Sequence, residues 1–160
     1  MKTEAHKEHR WLQRLLGEWI SEGEASMEPG QAPQKWQLME RVSAVGDVWV
    51  QCVIEGDMPG CGPSTTVMTL GYDPARKHFV GTFIGSMMTH LWIYEGDLDA
   101  SGKQLTLRAE GPDCSGSGRM ANYRDVITFK DDNHRVLTSC MQGENGEWNE
   151  FMTASYRRRR

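Results

Sequence analysis

The chain reads as an all-β protein, an antiparallel up-and-down barrel of about ten strands with a short N-terminal helix. Three observations carry that reading. The stretch 71–107, GYDPARKHFVGTFIGSMMTHLWIYEGDLDASGKQLTL, holds three apolar runs joined by short turns. Connections so short permit only antiparallel pairing, because a parallel crossover needs about a dozen residues or more. Similar β-rich runs recur along the chain, with turn signals every ~8 to 12 residues. Between the last two runs lies Asn145-Gly146, the strongest hairpin dipeptide in the sequence. So many strands in one small domain leave two edges to hide, and closure into a barrel removes both.

Each element has its own warrant. Residues 4–16 place Trp11, Leu12, Leu15 and Leu16 on one helical stripe flanked by charges, and Gly17 ends the helix. That stripe must be buried, against one end of the barrel or a partner subunit. Strands are expected over residues 18–27, 36–45, 48–54, 65–72, 78–87, 90–95, 104–109, 121–130, 135–142 and 148–157. After the first comes a loop with Pro29 and Pro33, which cannot continue a central strand because proline lacks the ladder donor. The second alternates Trp36, Leu38, Glu40 and Val42 against Gln37, Met39, Arg41 and Ser43. Residues 55–64, with three glycines and two prolines, read as a rim loop. Asp73-Pro74 marks a tight turn, Pro74 by its fixed φ and Asp73 by bonding its own backbone two residues on. Residues 111–118, GPDCSGSG, read as a flexible loop between hairpins. One domain spans 1–160, with the barrel over 18–157.

Bulk properties narrow the function classes. At 160 residues the chain buries a core without help from disulfides or metals. A net charge of -4 argues against a nucleic-acid binder, whose backbone contacts need a basic face. The only basic run, Arg157 to Arg160, reads as a solvated tail. Charges occupy the N-terminus where a signal peptide would have its apolar core, and no segment is apolar for long enough to span a bilayer. The expectation is a cytoplasmic protein with no membrane partner. Cys52, Cys61, Cys114 and Cys140 follow no metal or redox spacing and read as free thiols. Six tryptophans and ten methionines suit the filling of interiors and apolar surfaces.

Several segments, in order and over nearly the whole chain, resemble the bacterial family known as domain of unknown function 1579. They are His9-Arg10-Trp11-Leu12 with Leu16-Gly17-Glu18-Trp19, Gly71-Tyr72-Asp73-Pro74, Phe79 to Thr82, Met87 to Trp92, Tyr94-Glu95-Gly96, Leu105-Thr106-Leu107, Tyr123 to Val126, His134 to Thr138 and Phe151-Met152-Thr153. The resemblance implies a calycin-like barrel and no established activity. Gly17-Glu18-Trp19 is also similar to the Gly-x-Trp of the first lipocalin strand. That likeness implies structural roles for Gly17 and Trp19, with Trp19 packed against one of Arg157 to Arg159 as a cation–π contact. A wider likeness to nitrobindin-type haem barrels lacks the late histidine ligand, since no histidine follows His134. No cofactor and no metal is expected.

Candidate site residues follow from strand periodicity. His90, Trp92 and Tyr94 share one face, and a polar-aromatic face suits an interior that meets a ligand with rings and one titratable group. The plainer alternative makes them core filling. Arg124 shares its face with Asn122, Val126 and Thr128, while Tyr123 and Asp125 take the other. Facing inward, Arg124 would need an interior carboxylate, with Glu40, Glu95 and Glu150 as candidates, or an anionic ligand. Facing outward, it is a surface residue beside a neighbouring acid. Met152 belongs with Met68, Met87, Met88, Met120 and Met141 as lining of an adaptable apolar space, or as ordinary core. His6 and His9, three residues apart on the helix, lack a third metal ligand.

No nucleophile elbow, phosphate loop, HExxH or Cys/His pair is present. The function expected is therefore binding of a small, mostly apolar or amphipathic molecule, with or without an anionic group, by His90, Trp92, Tyr94, Arg124 and Met152, as carrier or sensor. Two alternatives stand beside it. One is an enzyme with His90 as acid/base and Arg124 as anion stabiliser. The other is a plugged structural barrel that forms a homodimer.

Overall fold

The computed structural model describes residues 2–25, 30 and 32–159. Ten strands form a closed barrel: β1 (Gly17–Ala25), β2 (Gln34–Val45), β3 (Trp49–Met58), β4 (Gly62–Asp73), β5 (His78–Gly85), β6 (Trp92–Leu98), β7 (Gln104–Pro112), β8 (Met120–Asp131), β9 (His134–Gln142) and β10 (Trp148–Arg158). Every strand pairs antiparallel with its neighbours in sequence, and the ring is closed by β1 against β10, Trp19 opposite Arg158 through Ala25 opposite Met152. The end expected for the first strand at residues 26–27, the loop residues 28, 29 and 31, and Arg160 lie outside the described residues.

Turn chemistry fixes the register. In the β4–β5 turn the Asp73 carboxylate accepts the Ala75 amide at 3.0 Å, and the Lys77 amide donates to the Asp73 carbonyl at 2.7 Å. The Asn145-Gly146 turn closes through Glu147 N–H on Asn145 Oδ1 at 3.0 Å, with Gly146 at φ +82°.

Four expectations are corrected. Residues 55–64 are a tight hairpin rather than a rim loop: Glu55 pairs with Thr65 and Met58 with Gly62, while the Cys61 amide closes the turn on the Met58 carbonyl at 3.0 Å. Residues so rich in glycine resemble a loop because a reversal this tight needs φ > 0, met by Gly60 and Gly62. Residues 111–118 likewise hold strand ends, with Gly111 opposite Ala121 and Pro112 opposite Met120, and the β7–β8 turn. The helical segment is shorter than expected, α1 (Lys7–Leu12) followed by a 3-10 turn, Gln13–Leu15. The basic run is no free tail, since Arg157 and Arg158 are β10 residues.

The helix seals one end of the barrel. Trp11 meets Phe129 and Phe79 edge to face at 5.4 and 6.1 Å and donates its indole N–H to the Gly102 carbonyl at 2.6 Å. Leu12 and Leu15 are buried beside it. His9 is spent in holding the helix: its Nδ1 accepts the His6 amide at 2.8 Å, so Nε2 carries the proton and donates to the Tyr72 carbonyl at 2.9 Å. Below the core, Trp19 is fully buried, donates to the Leu15 carbonyl at 2.8 Å, and is sandwiched between the Arg158 and Arg135 guanidinium groups, 4.2 and 4.7 Å from its ring. Arg158 also donates to the carbonyls of Leu16 and Arg14 at 2.6 and 3.0 Å, which ties β10 to the start of β1. Gly17 allows that approach, because it lies at φ +121° and a Cβ there would sit 2.7 Å from the Arg158 guanidinium.

Candidate functional site

Strand alternation decides which side chains enter the barrel, and three layers of polar and aromatic groups result. The deepest is an ion pair. Glu40 on β2 and Arg135 on β9 are joined by a direct hydrogen bond, their side chains only 5% and 3% exposed, with the Tyr156 ring 4.0 Å from the guanidinium. Burial raises the Glu40 carboxyl above its ordinary value, against the pull of Arg135, and burial likewise pushes up the Tyr156 phenol and the neighbouring Cys52 thiol. Arg135 Nε has no hydrogen-bond partner among the described residues. Arg135 lines a cavity of about 50 Å³ together with Leu15, Cys52, Met68, Phe83, Leu137 and Tyr156, among others.

The middle layer is a carboxylate held by two hydroxyls. Tyr94 on β6 donates to one Asp125 oxygen at 2.5 Å, and Ser139 on β9 donates to the other at 2.6 Å. Burial raises the Asp125 carboxyl, opposed by the Ser139 and Tyr94 hydrogen bonds, and the Tyr94 phenol is raised by burial and by the Asp125 charge.

The outer layer is aromatic and lies at the end away from the helix. Rings meet edge to face in series, His90 to Trp92 at 4.8 Å, Trp92 to Tyr123 at 4.8 Å and Tyr123 to Phe151 at 6.0 Å. The Tyr123 hydroxyl donates to the Pro112 carbonyl at 2.6 Å, and the Trp92 indole N–H to the Met88 sulfur at 3.1 Å. Facing inward from the Arg135 cavity to this end, Trp36, Ile54, Met68, Phe83, Trp92, Asp125, Leu137 and Met152 keep partial exposure, whereas Phe79, Leu105, Ile127 and Phe129 toward the helix are almost fully buried. The interior is thus stoppered at one end and accessible at the other.

The residues singled out from the sequence part company here. Tyr94 and Trp92 enter the barrel, and Met152, opposite Ser139 in register, shares that face. His90 precedes β6 rather than starting it, and its Nε2 donates to the Glu110 carbonyl at 3.0 Å. Arg124 does not enter. It pairs in register with Arg108 and Cys140 and stacks on the outer face over Trp148, guanidinium 4.4 Å from the ring. Parity explains the difference: Asp125 and Tyr123 hold the inward face of β8, so Arg124 must point to solvent. His90 and Arg124 therefore do not converge as acid/base and anion stabiliser. Sequence reasoning included Glu40 among the interior carboxylates but missed Arg135 as its cation. The signal was present in β9, where Arg135, Leu137 and Ser139 alternate onto one face.

These features define a class, the closed ten-stranded antiparallel barrel with a helical stopper and an interior reached from the opposite end. Over residues 4–158 the chain matches a protein family described as "Protein of unknown function (DUF1579)", and it belongs to that family. Solved structures of similar shape include Rv2717c from M. tuberculosis, 15% identical with a TM-score of 0.67 over 98% of this chain and 100% of that one. Another is the S-type phycobiliprotein lyase CPES from Guillardia theta, 14% identical with a TM-score of 0.61 over 98% of this chain and 94% of that one. At such identities the likeness is one of fold. No curated protein sequence matches the chain.

Proposed function

We propose that the protein binds a small, mostly apolar molecule inside the barrel and acts as a cytoplasmic carrier or sensor, with Trp92, Tyr94, Met152 and, at the rim, His90 as contacts. The observation that carries this reading is the buried guanidinium of Arg135, which lines a cavity and whose Nε–H has no acceptor among the described residues. A buried donor without a partner costs about 1–3 kcal/mol, which an acceptor atom of a guest, or a water, would relieve. The cavity of about 50 Å³ has room for a head group of a few atoms. The rest of a ligand would extend from it past Met68 and Phe83 toward the partly exposed Trp92 and Met152 side chains. Native mass spectrometry of protein purified from its own host tests the proposal. A co-purifying small molecule lost on denaturation is the expected result. A mass equal to the bare chain, with no stabilisation by any member of an amphipathic ligand panel, refutes it.

Self-association is a second reading with its own observation. Ile84, Met87, Met88, Leu91 and Ile93 are all exposed on the β5–β6 hairpin. Sedimentation equilibrium decides it, a dimer that dissociates in Ile93→Lys supporting that reading and a monomer at all concentrations removing it.

A further inference from the structure

The charges that face the interior are few. Above Trp19 they are Glu40, Arg135 and Asp125, and the first two are paired with each other. Asp125 has no such partner. Tyr94 from β6 and Ser139 from β9 donate to it, Leu107 lies opposite it on β7, and among the described residues no Lys, Arg or His ion-pairs with it. Two neutral hydroxyls orient a carboxylate without neutralising it, so the only counter-charge available to an ionised Asp125 is one that a guest brings.

What surrounds that charge is aromatic. Trp92 and Tyr123 are each one inward position nearer the mouth than Tyr94 and Asp125, about 7 Å along their strands. Their rings touch at 4.8 Å, so they sit as a pair above the carboxylate. Phe151 meets Tyr123 at 6.0 Å, and Met152 lies opposite Ser139 in register. Ring faces attract cations and repel anions, and the attraction grows where water is excluded. Arg124, the cation that the sequence offered to an anionic guest, is on the outer face, and the charge of Arg135 is already matched by Glu40.

We infer that the barrel's ligand is an organic cation, an ammonium carrying an aromatic or alkyl group, with its charge at Asp125 and its apolar body against Trp92, Tyr123 and Met152. This rests on the proposal that the interior binds a small molecule and specifies its chemical class. The cation supplies the counter-charge that β6, β7 and β9 do not, and its N–H groups reach the lone pairs that Tyr94 and Ser139 leave free. A carboxylate of equal size would meet Asp125 with like charge and the ring faces with the wrong sign.

Three probes on one phenylpropyl frame test the inference by isothermal titration calorimetry at pH 7.5: 3-phenylpropylammonium, 3-phenylpropanol and 3-phenylpropionate. The expected order is ammonium tightest, by about tenfold over the alcohol, with the carboxylate weakest. In Asp125→Asn the ammonium loses its advantage and binds no more tightly than the alcohol. The order of the three probes on the parent protein decides the question even if Asp125→Asn does not fold. An alcohol or carboxylate that binds as tightly as the ammonium overturns the inference and leaves interior binding standing, as does a preference that survives Asp125→Asn. If none of the three binds, both the inference and the proposed function fall.

Discussion

Replacing Arg135 by Met removes the cation that matches Glu40 while keeping most of the side-chain volume against Trp19 and Tyr156. Both partners are almost fully buried, so the carboxylate left behind has neither water nor counter-charge. Breaking a buried pair in this way costs about 3–5 kcal/mol. In urea, with a slope of about 2 kcal/mol/M, that lowers the unfolding midpoint by about 1.5–2.5 M. In a thermal melt of a chain this long it lowers Tm by about 6–20 °C. Removing both charges, as in Glu40→Leu with Arg135→Met, leaves no stranded ion, and the double variant is expected within about 1 kcal/mol of the parent or above it. The pH dependence follows from the sign. With Arg135 gone, Glu40 has a folded pKa raised above its unfolded value, so the stability tied to its protonated form is fully present below the unfolded value. It is lost as pH rises through the folded value. Arg135→Met should therefore recover toward the parent in mild acid, and Glu40→Leu with Arg135→Met should not share that recovery. A single variant costing under about 1 kcal/mol, or a double costing the sum of two large singles, would show that the pair is not the coupled unit described above.

Further outcomes are expected elsewhere. Arg158→Ala strips the Leu16 and Arg14 carbonyls of their donor and uncovers one face of Trp19, for a loss of about 2 kcal/mol and a shifted tryptophan emission. Gly111→Ala drives a methyl into the Trp92 ring, which must move, so about 1–3 kcal/mol is lost and the near-UV circular dichroism of the aromatic mouth changes. Asp125 has a raised folded pKa, and Tyr94, Ser139 and Leu107 face it from β6, β9 and β7. Its contribution to stability is present below the unfolded value and declines as pH rises through the folded one, so Asp125→Asn flattens the fall in stability as pH rises above the ordinary carboxylate range. A parallel curve for the variant would contradict this. Under native conditions a thiol reagent should modify the exposed Cys61 and Cys114 quickly, and Cys52 and Cys140 only after unfolding. Four equivalents reacting at one rate would contradict the burial of the latter two.

The barrel was legible because its signals are local. Alternation in Trp36 to Val42, Asp73-Pro74 and Asn145-Gly146 each report on a few neighbouring residues, and antiparallel neighbours need nothing longer in range. Strand ends were less visible where glycine served both as turn former and as loop marker, as at Gly56, Gly60 and Gly62. The interior was harder for a different reason. Which face of β8 turns inward is settled by barrel closure, and strand 121–130 has polar groups at Arg124 on one face and Asp125 on the other. The pairing of Glu40 with Arg135 spans 95 residues. No periodicity within either strand reveals which carboxylate meets which guanidinium, although Glu40 and Arg135 each sit in phase with apolar neighbours.

The seam between β1 and β10 bears on how the chain is made. Nine of the ten pairings join consecutive strands and can zip up hairpin by hairpin as the polypeptide leaves the ribosome, but the tenth must wait for the final strand. Until residues 148–158 emerge, β1 and β9 both present unsatisfied backbone edges to solvent, and the Leu16 carbonyl lacks the Arg158 donor 142 positions away. A nascent chain stalled before β10 is accordingly a substrate for chaperones and a seed for intermolecular strand exchange, and the last strand acts as the latch that retires both hazards at once.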